Sequence, residues 1–122
     1  MDVVAEPFRA ESAESCVAQR DGPVLRVTGD IDQGNWIDLA DRVAAEVRTG
    51  LVHLDLTQVS FFGAAGIRAL MYARDDLPPG RTLHVSCAPM VLHAMRICGL
   101  LTLTGLVVTP GADGQQWPAA WA

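Results

Sequence analysis

The chain has 122 residues, 50% of them hydrophobic, which suffices for one ordinary core and is too short for two domains. Nine basic residues against fourteen acidic ones leave a net charge of -5, so no basic stripe is at hand to release counterions from nucleic acid. Every basic residue is Arg, and without a Lys the chain has no Schiff-base, phosphate-loop or receiver-type lysine chemistry.

The chain opens on Asp2, Glu6 and Glu11 with no basic start and no apolar stretch, so the expected address is cytoplasmic. Three cysteines suit a reducing compartment. The longest uncharged run, between Arg96 and Asp113, is broken by Gly99, Gly105 and Pro110, short of the roughly 20 apolar residues of a membrane helix. Residues 1–12 carry no period and read as a flexible lead. Ser15 to Arg20 and Val24 to Ile31 are β-rich runs joined by Asp21-Gly22-Pro23, the composition of a hairpin turn. Asn35 then offers a helix cap with Asp38 in the capping-box position, and Trp36, Ala40, Val43 and Val47 recur at helical spacing down to Thr49-Gly50.

Leu51 to Leu56 reads as a strand covered on both faces, as a central parallel strand is. Gly63 to Asp76 is helical again, with Ile67, Leu70, Met71 and Leu77 as its inner stripe and Pro78-Pro79-Gly80 ending it. Arg81 to Cys87 is a further strand, and Pro89 suits the first turn of a helix that runs to Cys98 and stops at Gly99. Leu106 to Val108 gives a last short strand. The alternation predicts an α/β fold: one domain over residues 13–109, a mainly parallel or mixed sheet of four to five strands with helices packed on it, and an N-terminal β-hairpin. Residues 110–122 form a flexible tail in which Pro118 opposes a helix, while Trp117 and Trp121 are suited to dock on a groove or a partner.

No Gly-rich phosphate loop, nucleophile elbow or paired-histidine zinc motif is present. His84 with Cys87 and His93 with Cys98 are the nearest approach to a soft-metal set. Residues three apart on a strand point to opposite faces, and residues five apart on a helix diverge, so no metal and no cofactor is expected. The informative segment is Asp55 to Leu70, where a strand passes through a short loop into a helix that begins Gly63, Ala64, Ala65, Gly66. Small residues there either let the turn pack closely on the sheet or leave bare N–H groups and a positive dipole end open to an anion or another protein's surface.

The order of elements, the Gly29-Asp30-Ile31-Asp32 end of the second run, and the pieces Asp55-Leu56, Val59 to Phe62 and Gly66 to Leu70 resemble a STAS domain, whose best-known members are bacterial anti-sigma factor antagonists. Ile97-Cys98-Gly99-Leu100 also resembles a turn of that family. The resemblance implies a cytoplasmic protein that regulates transcription by binding a protein partner, an anti-sigma factor or related kinase, without being an enzyme. It implies contacts through Asp30, Asp32, Asn35, Gly63, Ala64, Ala65, Gly66, Arg68 and Arg74, and leaves a homodimer open. In regulated members the central loop reads Asp-Ser-Ser-Gly and its first Ser is phosphorylated. The corresponding position is Ala64, which has no hydroxyl, so no phosphorylation is expected there. Thr57 and Ser60 precede the loop and read as buried strand residues.

The alternative within the resemblance is an accessory STAS subunit of an ABC-type lipid transport complex. An enzyme is the third reading, for which the sequence shows no nucleophile-base pair. Cys16, Cys87 and Cys98 serve as small hydrophobes, and a redox switch, if one replaces the lost serine, falls to Cys87 with Cys98.

Overall fold

In a computed structural model the described residues are 16–111. The chain runs β1 (Cys16–Asp21), β2 (Val24–Asp30), α1 (Trp36–Arg48), β3 (His53–Phe61), α2 (Gly63–Asp75), β4 (Leu83–Cys87), α3 (Pro89–Ile97), a 3-10 turn (Leu100–Thr102) and β5 (Leu106–Pro110). The five strands lie in sequence order, β1 antiparallel to β2 and the rest parallel. This is the mixed sheet with an N-terminal hairpin that the alternation predicts. The hairpin turn is two residues long, and Gly22 takes its first position at φ 59°, a conformation that side chains resist.

Because each crossover steps one strand onward in the same direction and such crossovers are right-handed, the three helices share one face of the sheet. Leu25, Val27, Leu54, Leu56, Leu83, Val85 and Leu106 point into that face and meet Leu39, Val43 and Val47 of α1, Leu70 of α2, and Val91 and Met95 of α3. Alternation sends Val17, Arg26, His53, Asp55, His84, Ser86 and Val107 to the opposite, outer face.

Three details depart from the sequence reading. β3 begins two residues later and continues to Phe61, because a register shift between Arg26 and Thr28 lets it stay paired with β2 past the bulge. The buried face of α2 is made by Ala65, Gly66, Ala69, Leu70 and Ala73, so Met71 stands 41% exposed instead of inside. Asn35 sits at the N-cap of α1 with no side-chain cap bond, its amide being used elsewhere. At the far end of α1, Arg20 and Arg42 both pair with Glu46, which holds that carboxyl below its usual range, chiefly through Arg42. Arg81 Nη2 donates to Val47 O and Leu51 O at 3.2 and 3.1 Å and so closes the same end. Leads and tails, residues 1–15 and 112–122 with Trp117 and Trp121, lie outside the described residues.

Candidate protein-docking site

The C-terminal ends of β2 and β3 are tied together where Ile31 N–H donates to Phe61 O at 2.8 Å. That bond places the loop after β2 beside the junction into α2. The loop is ordered by its own side chains: Asn35 Oδ1 accepts from Asp32 N–H at 2.9 Å, Asn35 Nδ2 donates to Asp30 O at 2.9 Å, and Asp32 Oδ1 accepts from Gly34 N–H at 2.9 Å. Asn35 is 5% exposed, so it shapes the loop from below and does not present itself to a partner.

Phe61 and Phe62 end β3 on opposite sides, as neighbouring strand residues must. Phe62 is 2% exposed and fills the space where a side chain at Gly66 would stand, while Phe61 is 56% exposed. Gly63 turns the corner at φ 54°, where a Cβ would come within 3.1 Å of the Phe61 ring, so this corner requires glycine. The first turn of α2 has no side-chain cap and no acidic residue, and Gly66 N–H closes it by donating to Phe62 O at 2.7 Å.

The outward stripe of α2 is Ala64, Arg68, Met71 and Tyr72, spaced to share one helix face and all exposed. Arg68 Nη1 reaches Gln33 Oε1 at 3.4 Å, and Tyr72 meets Trp36 edge to face with ring centroids 6.0 Å apart, so α2, α1 and the loop form one surface. It exposes Phe61, Ala64, Met71 and Tyr72 with the charged Arg68 among them, and its loop side carries exposed Asp30 and Asp38. Such a surface can exclude water against a complementary protein face.

Of the residues expected to contact a partner, Asp30, Ala64 and Arg68 are exposed, and Asp32, Gly63 and Arg74 are half-buried. Ala65 and Gly66 are buried with Asn35, because the first turn of α2 leans on Phe62 and the sheet. Arg74 stands apart, three turns down α2, with Nε donating to Thr104 O at 2.8 Å and Nη1 paired with Asp75 at 3.1 Å. It fastens the helix to the segment before β5. The sequence reading missed Phe61, Met71 and Tyr72. The paired phenylalanines carried the signal, since at a strand end only one of two neighbours can enter the core.

Ser60 is exposed and Thr57 half-buried, so neither is the buried strand residue expected; Thr57 turns aside at the bulge, where its N–H and hydroxyl both donate to Asp55 Oδ1 at 2.9 and 2.6 Å. Asp55 Oδ2 accepts from Arg26 Nε at 3.2 Å. Beside them the structure makes a nucleophile-base contact that the sequence did not show, Ser86 Oγ to His53 Nε2 at 2.7 Å. Both residues are 1% exposed and the Asp55 carboxylate is engaged with Thr57 and Arg26, so the pair is a buried bond between β3 and β4. Burial pushes the His53 imidazole down to about 4, against the opposing pull of Asp55, and also lowers His84.

Cys87 is fully buried on the helix face, its thiol donating to Met95 Sδ at 3.5 Å and pushed up to about 12 by burial and then by Asp55. Cys98 is exposed at the end of α3, and both are free thiols. Burial, then Asp32 and Asp30, push Cys16 up to about 11. His84 and Cys87 stand on opposite faces of β4, and among the described residues no three His, Cys, Asp or Glu side chains gather to hold a metal. No helix among the described residues is long and apolar enough to cross a membrane.

Comparison with known proteins adds three findings. A family model described as "Mlab, STAS domain" matches residues 15–108. No curated protein matches the chain. The crystal structure of an anti-sigma factor antagonist from Mycobacterium paratuberculosis has a similar fold, with a TM-score of 0.65 and 21% sequence identity over 80% of this chain and 86% of that one.

Proposed function

The chain belongs to the STAS family, and on that premise we propose that it regulates transcription as an anti-sigma factor antagonist, by docking an anti-sigma factor or related kinase in the cytoplasm. The observation that carries this reading is the exposed apolar surface of Phe61, Ala64, Met71 and Tyr72 beside the ordered Asp30 to Asn35 loop. Asp30, Asp32 and Arg68 supply its polar contacts; Asn35, Ala65 and Gly66 hold its shape, Gly63 turns its corner, and Arg74 anchors the helix that bears it. The protein works by binding and not by catalysis. Docking is constitutive, since residues 63–66 offer no hydroxyl to a kinase and the charge that would repel a partner is never added.

The same feature favours a second reading, in which the domain is a standing subunit of an ABC-type lipid transport complex. An apolar dock with no phosphorylation switch suits permanent assembly. A thiol switch through Cys87 and Cys98 would first require the core around Met95 to open, since the Cys87 thiol is sealed there.

The test is titration of wild type, Ala64→Ser and Ala64→Asp with purified anti-sigma kinases, each variant checked by a melting curve. Wild type and Ala64→Ser should bind alike, and Ala64→Ser should accept phosphate from the kinase. Ala64→Asp should bind at least about tenfold more weakly, which corresponds to roughly 1.4 kcal/mol. Equal binding of Ala64→Asp with unchanged stability removes residues 63–66 from the interface. Binding to a transporter ATPase in place of any anti-sigma factor selects the second reading.

A further inference from the structure

The sheet has two edge strands, and they are finished differently. β1 is guarded by charge: Ala18 O accepts from Arg42 Nη1 at 3.4 Å, Arg20 pairs with Glu46, and Asp21 is exposed. Among the described residues no charged side chain is bonded to β5. Ile97 to Gly111, the stretch that leaves α3 and runs through the 3-10 turn and β5, contains no charged residue. Ile97 is 70% exposed and Val107 41%, while Leu101, Leu103 and Val108 are half-buried.

The backbone of β5 divides its hydrogen bonds between two sides. Its parallel ladder with β4 runs from Gly105 O, which accepts from Leu83 N–H at 2.8 Å, to Gly111 N–H, which donates to Cys87 O at 3.0 Å. Alternation along the strand turns the backbone groups of Leu106, Val108 and Pro110 the other way, toward the free edge. Leu106 N–H is taken up by Leu103 O at 3.4 Å, and Pro110 has no N–H to offer. Among the described residues of that edge, Val108 N–H is the donor that remains, flanked by the acceptors Leu106 O, Val108 O and Pro110 O.

We propose that β5 pairs antiparallel with β5 of a second copy about a two-fold axis at Val108, joining two five-stranded sheets into one. At that register each Val108 N–H donates to the Val108 O of its counterpart, so the free donor of each edge is satisfied. Val108 meets Val108 on the helix face and Val107 meets Thr109 on the outer face, β-branched pairs that stabilise a sheet. A self-pairing contact sets residues close to their own counterparts, which a charge-free stretch allows and the rest of a chain of net charge -5 opposes. An unrelated extended peptide is the poorer occupant, because main-chain bonds are the source of its affinity and this edge offers one donor. A folded copy also brings the apolar turn around Leu101 and Leu103 that packs on its own β5. The Phe61 surface lies at the end of β3, two strands away, so the pair carries two open docks.

Sedimentation of the full chain over about 1 to 500 μM tests the pairing in wild type, Val107→Asp, Val108→Pro and Val17→Asp. Val17 and Val107 are equally exposed on the same outer face at opposite edges, so the two aspartate variants differ in which edge they charge. Wild type should pass from one chain to two. Val107→Asp sets two carboxylates within about 8 Å of each other across the axis, and Val108→Pro removes the free donor while sparing the ladder with β4. Each should raise the dissociation constant at least about tenfold, and Val17→Asp should leave it unchanged. Amide exchange in wild type gives a readout that needs no variant: Val108 N–H should exchange more slowly as the concentration rises. A wild type that stays monomeric over the whole range, or a dimer whose Val108 amide exchanges as fast as in the single chain, overturns the proposal. A dimer weakened by Val17→Asp as much as by Val107→Asp does the same.

Discussion

The loop at the end of β3 and the outer lane at its beginning belong to one strand and are built in opposite senses. At the loop, Phe61, Met71 and Tyr72 face solvent, and the bare first turn of α2 offers them no polar company. At the other end of the strand His53 and Asp55, with Ser86 on neighbouring β4, are polar and sealed, each bonded to a side chain on its own or the neighbouring strand. Exposed apolar groups clustered on a rigid frame call for a partner, because only association removes them from water. Buried polar groups that satisfy one another call for none, and they fix the register of the frame instead. The difference separates what this domain presents from what holds it in shape, and the buried serine-histidine contact of the lane lies on the second side.

The largest effect should come from acidifying the lane. The His53 ring in the folded protein takes its proton about 2.5 pH units below the ordinary 6.5 of the unfolded chain. Its contribution is therefore complete above pH 6.5 and is lost as pH falls from there through about 4. By linkage the loss approaches about 3 kcal/mol. Urea unfolding of wild type and His53→Gln across pH 7 to 4 should show wild type losing stability faster by that amount. Parallel curves would mean that the ring is not sealed.

The loop is sensitive in another way. Gly66→Ala places a methyl group against the buried Phe62 ring, which has packed neighbours behind it and must shift. Overpacking of this kind costs about 1–3 kcal/mol. The melting temperature should fall, and binding should fall with it because Phe61 and α2 move together. An unchanged melting temperature would show that the ring turns aside freely. Smaller still, Asn35→Ala removes the amide that joins Asp30 to Asp32, a loss of about 1–2 kcal/mol. Amide hydrogen exchange should quicken between Asp30 and Asn35 and stay slow in β4; uniform quickening would contradict a local role.

Much of the frame was legible in the sequence because each element carries its own local signal: Gly22-Pro23 for the hairpin, Pro89 for the start of α3, Gly99 at φ 77° for its end. The site was legible in part. The small residues from Gly63 to Gly66 marked the junction, but not which of them reach the surface, since that depends on how closely α2 leans on Phe62. Helical spacing of the large apolar residues puts Met71 on the inner stripe, whereas Ala65, Ala69 and Ala73 bring α2 close enough that small residues fill its inner face. The Ser86 to His53 bond joins residues 33 apart through strand register, which no local pattern encodes.

The central claim is that the apolar surface at the end of β3, and not the outer face of the sheet, receives the partner. Calorimetric titration of an anti-sigma kinase against wild type, Phe61→Ala and Val107→Ala tests it most directly, since both substituted side chains are exposed and neither supports the core. Phe61→Ala should weaken binding by more than about 1 kcal/mol, as a central aromatic anchor does, while Val107→Ala leaves it unchanged. Loss of binding in Val107→Ala with Phe61→Ala equal to wild type would place the partner on the other side of the molecule and contradict the account.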